Sequence, residues 1–199
     1  MTPDLALRLF IDPALRWLVE LGIPSDDRAR AMLVAVALLE SGLKHRDQID
    51  AARANGPALG FWQFEMNGGC ADVLEGKRTK PIAGTVLSTL GLPSDAPVTR
   101  RNVWEMLEFN DVLAAAFARL LLWPDPEPLP KLDEPDKAWR YYLRIWRPGK
   151  PRPNDWPKCW DAAVRAVRAV PFDPRPFGPA PAAQAAPQQE RNWLSWLPW

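Results

Sequence analysis

The sequence predicts an all-α domain over residues 1–170, followed by a flexible Pro/Ala-rich tail over residues 171–199. Three observations carry that prediction. Capping side chains and prolines recur where helices would start, no segment alternates apolar with polar residues as a half-buried strand does, and the prolines gather late. Of 23 prolines in 199 residues, sixteen fall from Pro124 onward. With 47% hydrophobic residues, the chain can bury a core unaided, since a domain of this size removes about 70% of its unfolded surface from water.

Thr2-Pro3 and Asp12-Pro13 each set a capping side chain before a proline at the first helical position, where the missing N–H costs nothing. Two short helices are expected there, the second running from Ala14 to Leu21 and stopped by Gly22. Ser25 is the expected cap of the third, with Asp26 and Asp27 in its first turn against the helix dipole. Near-continuous apolar positions through Met32, Leu33, Val36 and Leu39 make it a buried helix of about 16 residues ending at Gly42.

Residues 43–60 read as a polar loop or short polar helix leading into Phe61-Trp62-Gln63-Phe64, and Gly68-Gly69 breaks the chain again. Short helices are expected over Cys70–Leu74 and Pro81–Leu90. Thr99 should cap one through Trp104 and Leu107, and Asn110 open another through Leu122. Asp125–Pro130, with proline at every second position, is an extended connector. Asp133 or Asp136 should start a helix through Trp139, Tyr142 and Ile145 that stops at Pro148-Gly149. Pro157 opens a last one to Val170.

Composition excludes several functions. Two cysteines without a CxxC spacing, Cys70 and Cys159, and the single His45 speak against a zinc site or a Ser-His-Asp triad; neither a metal nor an organic cofactor is expected. A formal charge of +1 gives no bulk attraction to nucleic acid. No run of about 18 apolar residues spans a bilayer. The first residues carry acids within their apolar stretch and no cleavage site, so no secretory signal is expected and the chain starts in the cytoplasm.

Leu38-Leu39-Glu40-Ser41-Gly42 closes the buried helix on a carboxylate. Loss of water disfavours the ionised form and raises the pKa toward what a general acid needs near neutral pH. A helix-end glutamate can also simply reach water.

The ordered context narrows that choice. Glu40-Ser41, then Ala58-Leu59-Gly60-Phe61-Trp62-Gln63, then a helix from Asn110 through Ala114 and Phe117 to Leu120-Leu121, resembles the soluble lytic transglycosylases of the lysozyme superfamily. Their motifs are Glu-Ser at the end of a buried helix, a Gly-Ala-x-Gly-Leu-Met-Gln segment, and Asn-(Ile/Leu)-x-x-Gly-x-x-Tyr-Leu. Pro57 stands where a glycine is usual, Ala114 for the glycine and Phe117 for the tyrosine. The family's Tyr-Asn-Ala-Gly appears only as Trp146-Arg147-Pro148-Gly149, so Tyr141 or Tyr142, about one turn earlier, is the candidate to steady the glutamate.

The resemblance implies a lysozyme-like fold and cleavage of the MurNAc–GlcNAc bond of peptidoglycan, with Glu40 as the single general acid and base. The substrate's N-acetyl group assists and its own C6 hydroxyl attacks, giving a 1,6-anhydro sugar. Asp47 and Asp50 lie in the polar loop and Glu65 follows Phe64; none shares Glu40's apolar setting, which suits one acid better than the usual two. Substrate contacts are expected from Ser41, Gly60, Trp62, Gln63, Asn110, Tyr141, Tyr142 and Trp146. Gly60 would let backbone approach the sugar. Trp62 could stack on a sugar or fill the core, Phe61 fits the core, and Gln63 could meet an N-acetyl amide or make a loop hydrogen bond. His45, between Lys44 and Arg46, reads as a solvated turn. Arg140, Arg144, Arg147, Lys150 and Arg152 form a stripe open to two readings, contact with anionic peptide stems or a solvated helix face.

Trp193, Trp196 and Trp199 recur behind a Pro/Ala/Gln-rich spacer. So short a segment cannot bury three indoles alone. It can fold back on its own domain, dock into a partner or sit at a membrane interface. The partner is preferred, namely a tail or portal protein of a phage particle that carries the enzyme to the periplasmic wall of its host. The rival functions are a virion structural protein that kept the fold without catalysis, a helical binding module built around the tail, and a hydrolysing endolysin acting at lysis.

Overall fold

The computed structural model describes residues 1–46, 57–89 and 98–175. Among these, helices dominate, as expected for an all-α chain. The tail tryptophans 193, 196 and 199, the loop acids Asp47 and Asp50, and the helix stop at Gly91 and Pro93 lie outside the described residues.

The two helices expected at the front form one continuous run: α1 (Pro3–Ala6), a π-helical turn (Leu7–Ile11) and α2 (Asp12–Glu20). Thr2 caps it, its hydroxyl accepting from Leu5 N. Asp12 caps nothing. A π turn directly before Pro13 lets the helix change register around the absent N–H, which frees the Asp12 side chain to turn inward. The run ends as expected, with Gly22 at φ +81°.

The third helix, α3 (Asp27–Ser41), is capped by Asp26 rather than Ser25. Asp26 Oδ1 accepts from Arg28 N at 2.9 Å and Ala29 N at 3.2 Å. Ser25 Oγ instead donates back to Ile23 O at 3.4 Å. Gly42 closes α3 at φ +63°, the left-handed position that favours glycine. α3 is buried on nearly every side, so it is the axis around which the other helices pack.

Arg30, fully buried on α3, ties three helices together. Its guanidinium donates to Asp12 of α2 at 2.7 and 2.9 Å, to Asp27 at 2.9 Å, and to the carbonyls of Val167 and Val170 at 3.4 and 3.0 Å. Val167 lies in α9 (Trp156–Ala169), which packs along α3.

A short hairpin that the sequence reading missed follows α3. In it β1 (Ala58–Leu59) pairs antiparallel with β2 (Phe64–Glu65), Ala58 opposite Glu65 and Leu59 opposite Phe64. A second π turn, Met66–Cys70, leads into α4 (Ala71–Glu75) and α5 (Lys80–Thr89). Thr99 caps α6 (Arg100–Phe109) and Asn110 caps α7 (Asp111–Leu122) as expected. α8 (Pro135–Trp146) starts after Glu134, not at Asp133 or Asp136, because Pro135 suits the first helical position. It stops at Arg147, φ +48°, ahead of Pro148. No described helix is long and apolar enough to cross a membrane.

Candidate active site

Glu40 sits in the last turn of α3, half-buried. Tyr142 Oη, from α8, donates to Glu40 Oε1 at 2.6 Å. The phenol is fixed in place: its ring stacks on Trp139 and on Trp156, with centroids 5.3 and 5.4 Å away, these two indoles meet each other at 5.5 Å to close a three-ring cluster, and Trp156 stacks in turn on Trp160 at 5.8 Å. Trp156 Nε1 donates to Pro135 O at 3.0 Å and Trp160 Nε1 to Leu132 O at 3.2 Å, so the ladder is anchored at several points.

Burial holds the Glu40 carboxyl above the usual carboxylate range. The Tyr142 hydrogen bond and the positive charge of Arg152 pull it back down, while the negative charge of Glu65 pushes it up. Burial and then the adjoining carboxylate hold the Tyr142 phenol far above its ordinary value, so it stays a donor.

Sequence reasoning named Glu65 beside Phe64 and Arg152 in the basic stripe, but paired neither with Glu40, on which both charges act here. Glu65 ends the hairpin, which no periodicity revealed, and Arg152 lies between two prolines after α8. Glu65 is exposed, so Glu40 remains the carboxyl of this pair with an apolar setting.

Between the two tyrosine candidates the fold decides. Tyr142 meets Glu40. Tyr141 is buried and points elsewhere, donating to Leu122 O at 2.9 Å, which corrects its assignment as a substrate contact.

The other expected contacts mostly build the wall behind the acid. Ser41 is buried; its Oγ lies 2.8 Å from Phe61 O and 3.0 Å from Ala37 O, sharing one proton between them, and accepts from Leu43 N at 3.2 Å. It pins the hairpin loop to the end of α3 and faces no sugar.

Trp62 is fully buried, its Nε1 donating to Leu33 O at 3.0 Å. An indole with neither face open cannot stack on a sugar, so it belongs to the core, as does Phe61, stacked on Phe10 at 5.7 Å.

Gly60 also has a different reason from the one expected. At φ +74° a Cβ there would lie 2.4 Å from Leu107 O, so the close approach is to α6 and not to a ligand. Gln63, half-buried at φ +50°, donates through Nε2 to Gly60 O at 2.9 Å and closes the loop. Asn110 Oδ1 accepts from Leu113 N at 3.0 Å and serves α7 as its cap. Trp146 Nε1 donates to Trp62 O at 3.1 Å, and its ring tilts against Phe64 at 6.1 Å, joining α8 to the hairpin.

Hence Glu40, Tyr142, Trp146 and the 60–65 loop do converge, while Tyr141 and Asn110 are occupied elsewhere. His45 is exposed. Of the basic stripe, Arg144 is engaged by Asp125 at 2.9 Å and Glu127 at 3.2 Å, and Arg147 by Asp72.

No cluster of three or more His, Cys, Asp or Glu side chains among the described residues could hold a metal ion. Cys70 is buried and its thiol pushed up to about 12, which leaves it un-ionised and inert.

Three concavities, of about 750, 350 and 520 Å³, open between the first π turn and α6, beside Arg119, and between α4 and α8; none is lined by Glu40. None of these three runs along Gly60–Gln63. The chain from Asp47 to Gly56, which joins α3 to the hairpin, lies outside the described residues. Comparison with protein-family models, with curated proteins and with solved structures gives no match to this chain.

Proposed function

We propose that this chain is a lysozyme-like, soluble lytic transglycosylase-type enzyme that cleaves the MurNAc–GlcNAc bond of peptidoglycan, with Glu40 as general acid and then base. One observation carries the reading. A carboxyl at the end of a buried helix holds its proton more tightly than usual, and a rigid phenol grips one of its oxygens at 2.6 Å.

With Oε1 occupied by Tyr142, Oε2 is the oxygen that carries the proton. Glu40 gives that proton to the leaving glycosidic oxygen as the bond to the anomeric carbon breaks. The Tyr142 hydrogen bond strengthens as the carboxylate forms, so it stabilises the charge that develops. The substrate's C6 hydroxyl then attacks the anomeric carbon and returns its proton to Glu40, which restores the acid and leaves a 1,6-anhydro end.

Glu40→Gln removes the proton while keeping the shape. Wall clearing should fall by the roughly 10² to 10⁴-fold attributed to a general acid, with the circular dichroism spectrum unchanged; retained clearing removes the mechanism. Mass spectrometry of digested wall decides the product. Anhydro ends support transglycosylation. Reducing ends mean hydrolysis by water, for which the exposed carboxylate of Glu65, close enough to act on Glu40, is the available base. Delivery to the wall belongs to the same proposal: the chain is a component of a phage particle, and its detection in purified particles checks that.

A further inference from the structure

We propose that the tryptophan segment at residues 193–199 docks back onto its own domain, in the apolar groove between the first helical run and the end of α6. That groove, of about 750 Å³, is lined by Met1, Leu9, Phe10, Met106, Phe109 and Val112, and by Glu105 and Asp111, whose carboxylates are paired with Arg101 and Arg46. Among the described residues the exposed large apolar side chains are Met1, Leu5, Leu9, Val98 and Phe109. Met1, Leu9 and Phe109 line the groove, and Leu5 lies one helical turn from Leu9. Phe109 is 78% exposed and Leu9 59%. Apolar surface gathered at one place and edged by polar side chains is the pattern of an interaction site.

The path of the chain selects the occupant. After α9, Phe172 lies against the Arg30 guanidinium, 5.0 Å from its ring centroid, and Asp173 O accepts from Arg16 Nε at 2.9 Å. The end of the described chain is therefore tied to α2. Arg16 follows Leu9 by seven positions in one continuous helical run, which at 1.5 Å per residue is about 10 Å. Seventeen residues, 176–192, separate Arg175 from Trp193; a chain of that length reaches up to about 56 Å, more than enough to set Trp193 at the groove, and so short a covalent connection gives the segment about millimolar effective concentration there.

The chemistry matches as well. Trp193, Leu194, Trp196, Leu197 and Trp199 need a surface that takes apolar bulk, and the exposed side chains of Leu9 and Phe109 offer it. A partner protein reaching the same segment has no such proximity in its favour.

The test uses the full chain with a photo-crosslinking phenylalanine analogue at position 109, and, as a control, at position 98, the exposed site at the other end of α6. Crosslinks mapped by mass spectrometry should join position 109 to residues 193–199 of the same molecule, independently of protein concentration and at least tenfold above position 98. Leu9→Glu in the chain labelled at 109 should reduce that yield about tenfold; both residues are exposed, so folding is not at stake. Equal yields from the two positions, crosslinks that join two copies, or no crosslink to 193–199 would each overturn the proposal, and so would a yield at 109 that survives Leu9→Glu.

Discussion

Asp12→Ala removes two of the five hydrogen bonds made by the Arg30 guanidinium, those at 2.7 and 2.9 Å. The guanidinium is fully buried and Asp12 is 5% exposed, so no water takes the lost place. Truncating one partner of such a pair costs about 3–5 kcal/mol. Two facts put this case at the lower end. Arg30 keeps Asp27 at 2.9 Å and two carbonyls, and burial holds the Asp12 carboxyl above its usual range even beside Arg30, so the pair's attraction does not fully offset its desolvation. A loss of about 3 kcal/mol should lower the melting temperature by about 6–12 °C for a chain of this length.

Urea unfolding measures that loss, and a second arm keeps it interpretable. Asp12→Leu with Arg30→Met replaces the pair by apolar bulk and should cost less than Asp12→Ala alone, because no charge is stranded. A cost for Asp12→Ala below about 1 kcal/mol, or a double variant worse than the single one, would refute the account of Arg30 as the clamp that seats α3 between α2 and α9.

Two further predictions concern the acid and its loop. If Glu40 must be protonated, wall clearing declines as pH rises through its elevated pKa. Arg152→Gln removes a charge that lowers this pKa and moves the decline to higher pH; Glu65→Gln removes one that raises it and moves the decline to lower pH. Each exposed charge is worth about 0.2–1 kcal/mol, or about 1.4- to 5-fold in rate on the falling limb; carbon NMR of the Glu40 carboxyl reads the same two directions without activity, and shifts of the same sign would refute them. Gly60→Ala puts a methyl 2.4 Å from Leu107 O at φ +74° and should destabilise by about 1–3 kcal/mol for the backbone conformation alone, read from thermal melting; an unchanged melt would show that α6 yields freely.

The place of Glu40 at the end of a buried helix was legible in the sequence, and most of its surroundings were not. A nearly unbroken apolar stretch ending in Glu-Ser-Gly announces both the buried helix and its left-handed stop, because burial and glycine's freedom are local properties. Tyr141 and Tyr142 could not be separated. Consecutive helix positions point about 100° apart, and both are buried, so the choice depends on where α8 lies against α3. The hairpin was illegible since two-residue strands are too short to show alternation. Trp62 illustrates a different limit: an indole serves a core and a sugar platform equally, and only the Leu33 carbonyl beside its Nε1 decides. Asp12-Pro13 read as a cap because the π turn before it has no sequence signature of its own.

Burial and the Tyr142 hydrogen bond act on Glu40 in opposite senses, and their order of strength gives the site its character. Burial alone would make a carboxyl that holds its proton but resists giving it up, since the carboxylate left behind would have no partner. Hydrogen bonding alone would keep it ionised, without a proton to donate. Here burial is the larger effect, so the carboxyl holds its proton more tightly than an ordinary glutamate, and in the proposed reaction Tyr142 is already placed to meet the charge that appears when the proton leaves. That arrangement needs Tyr142 to be immobile, because a phenol free to rotate would spend the gain in ordering itself. The stacks with Trp139 and Trp156 provide that immobility. The aromatic content of α8 and α9 therefore bears on the chemistry of Glu40 as directly as the apolar length of α3 does.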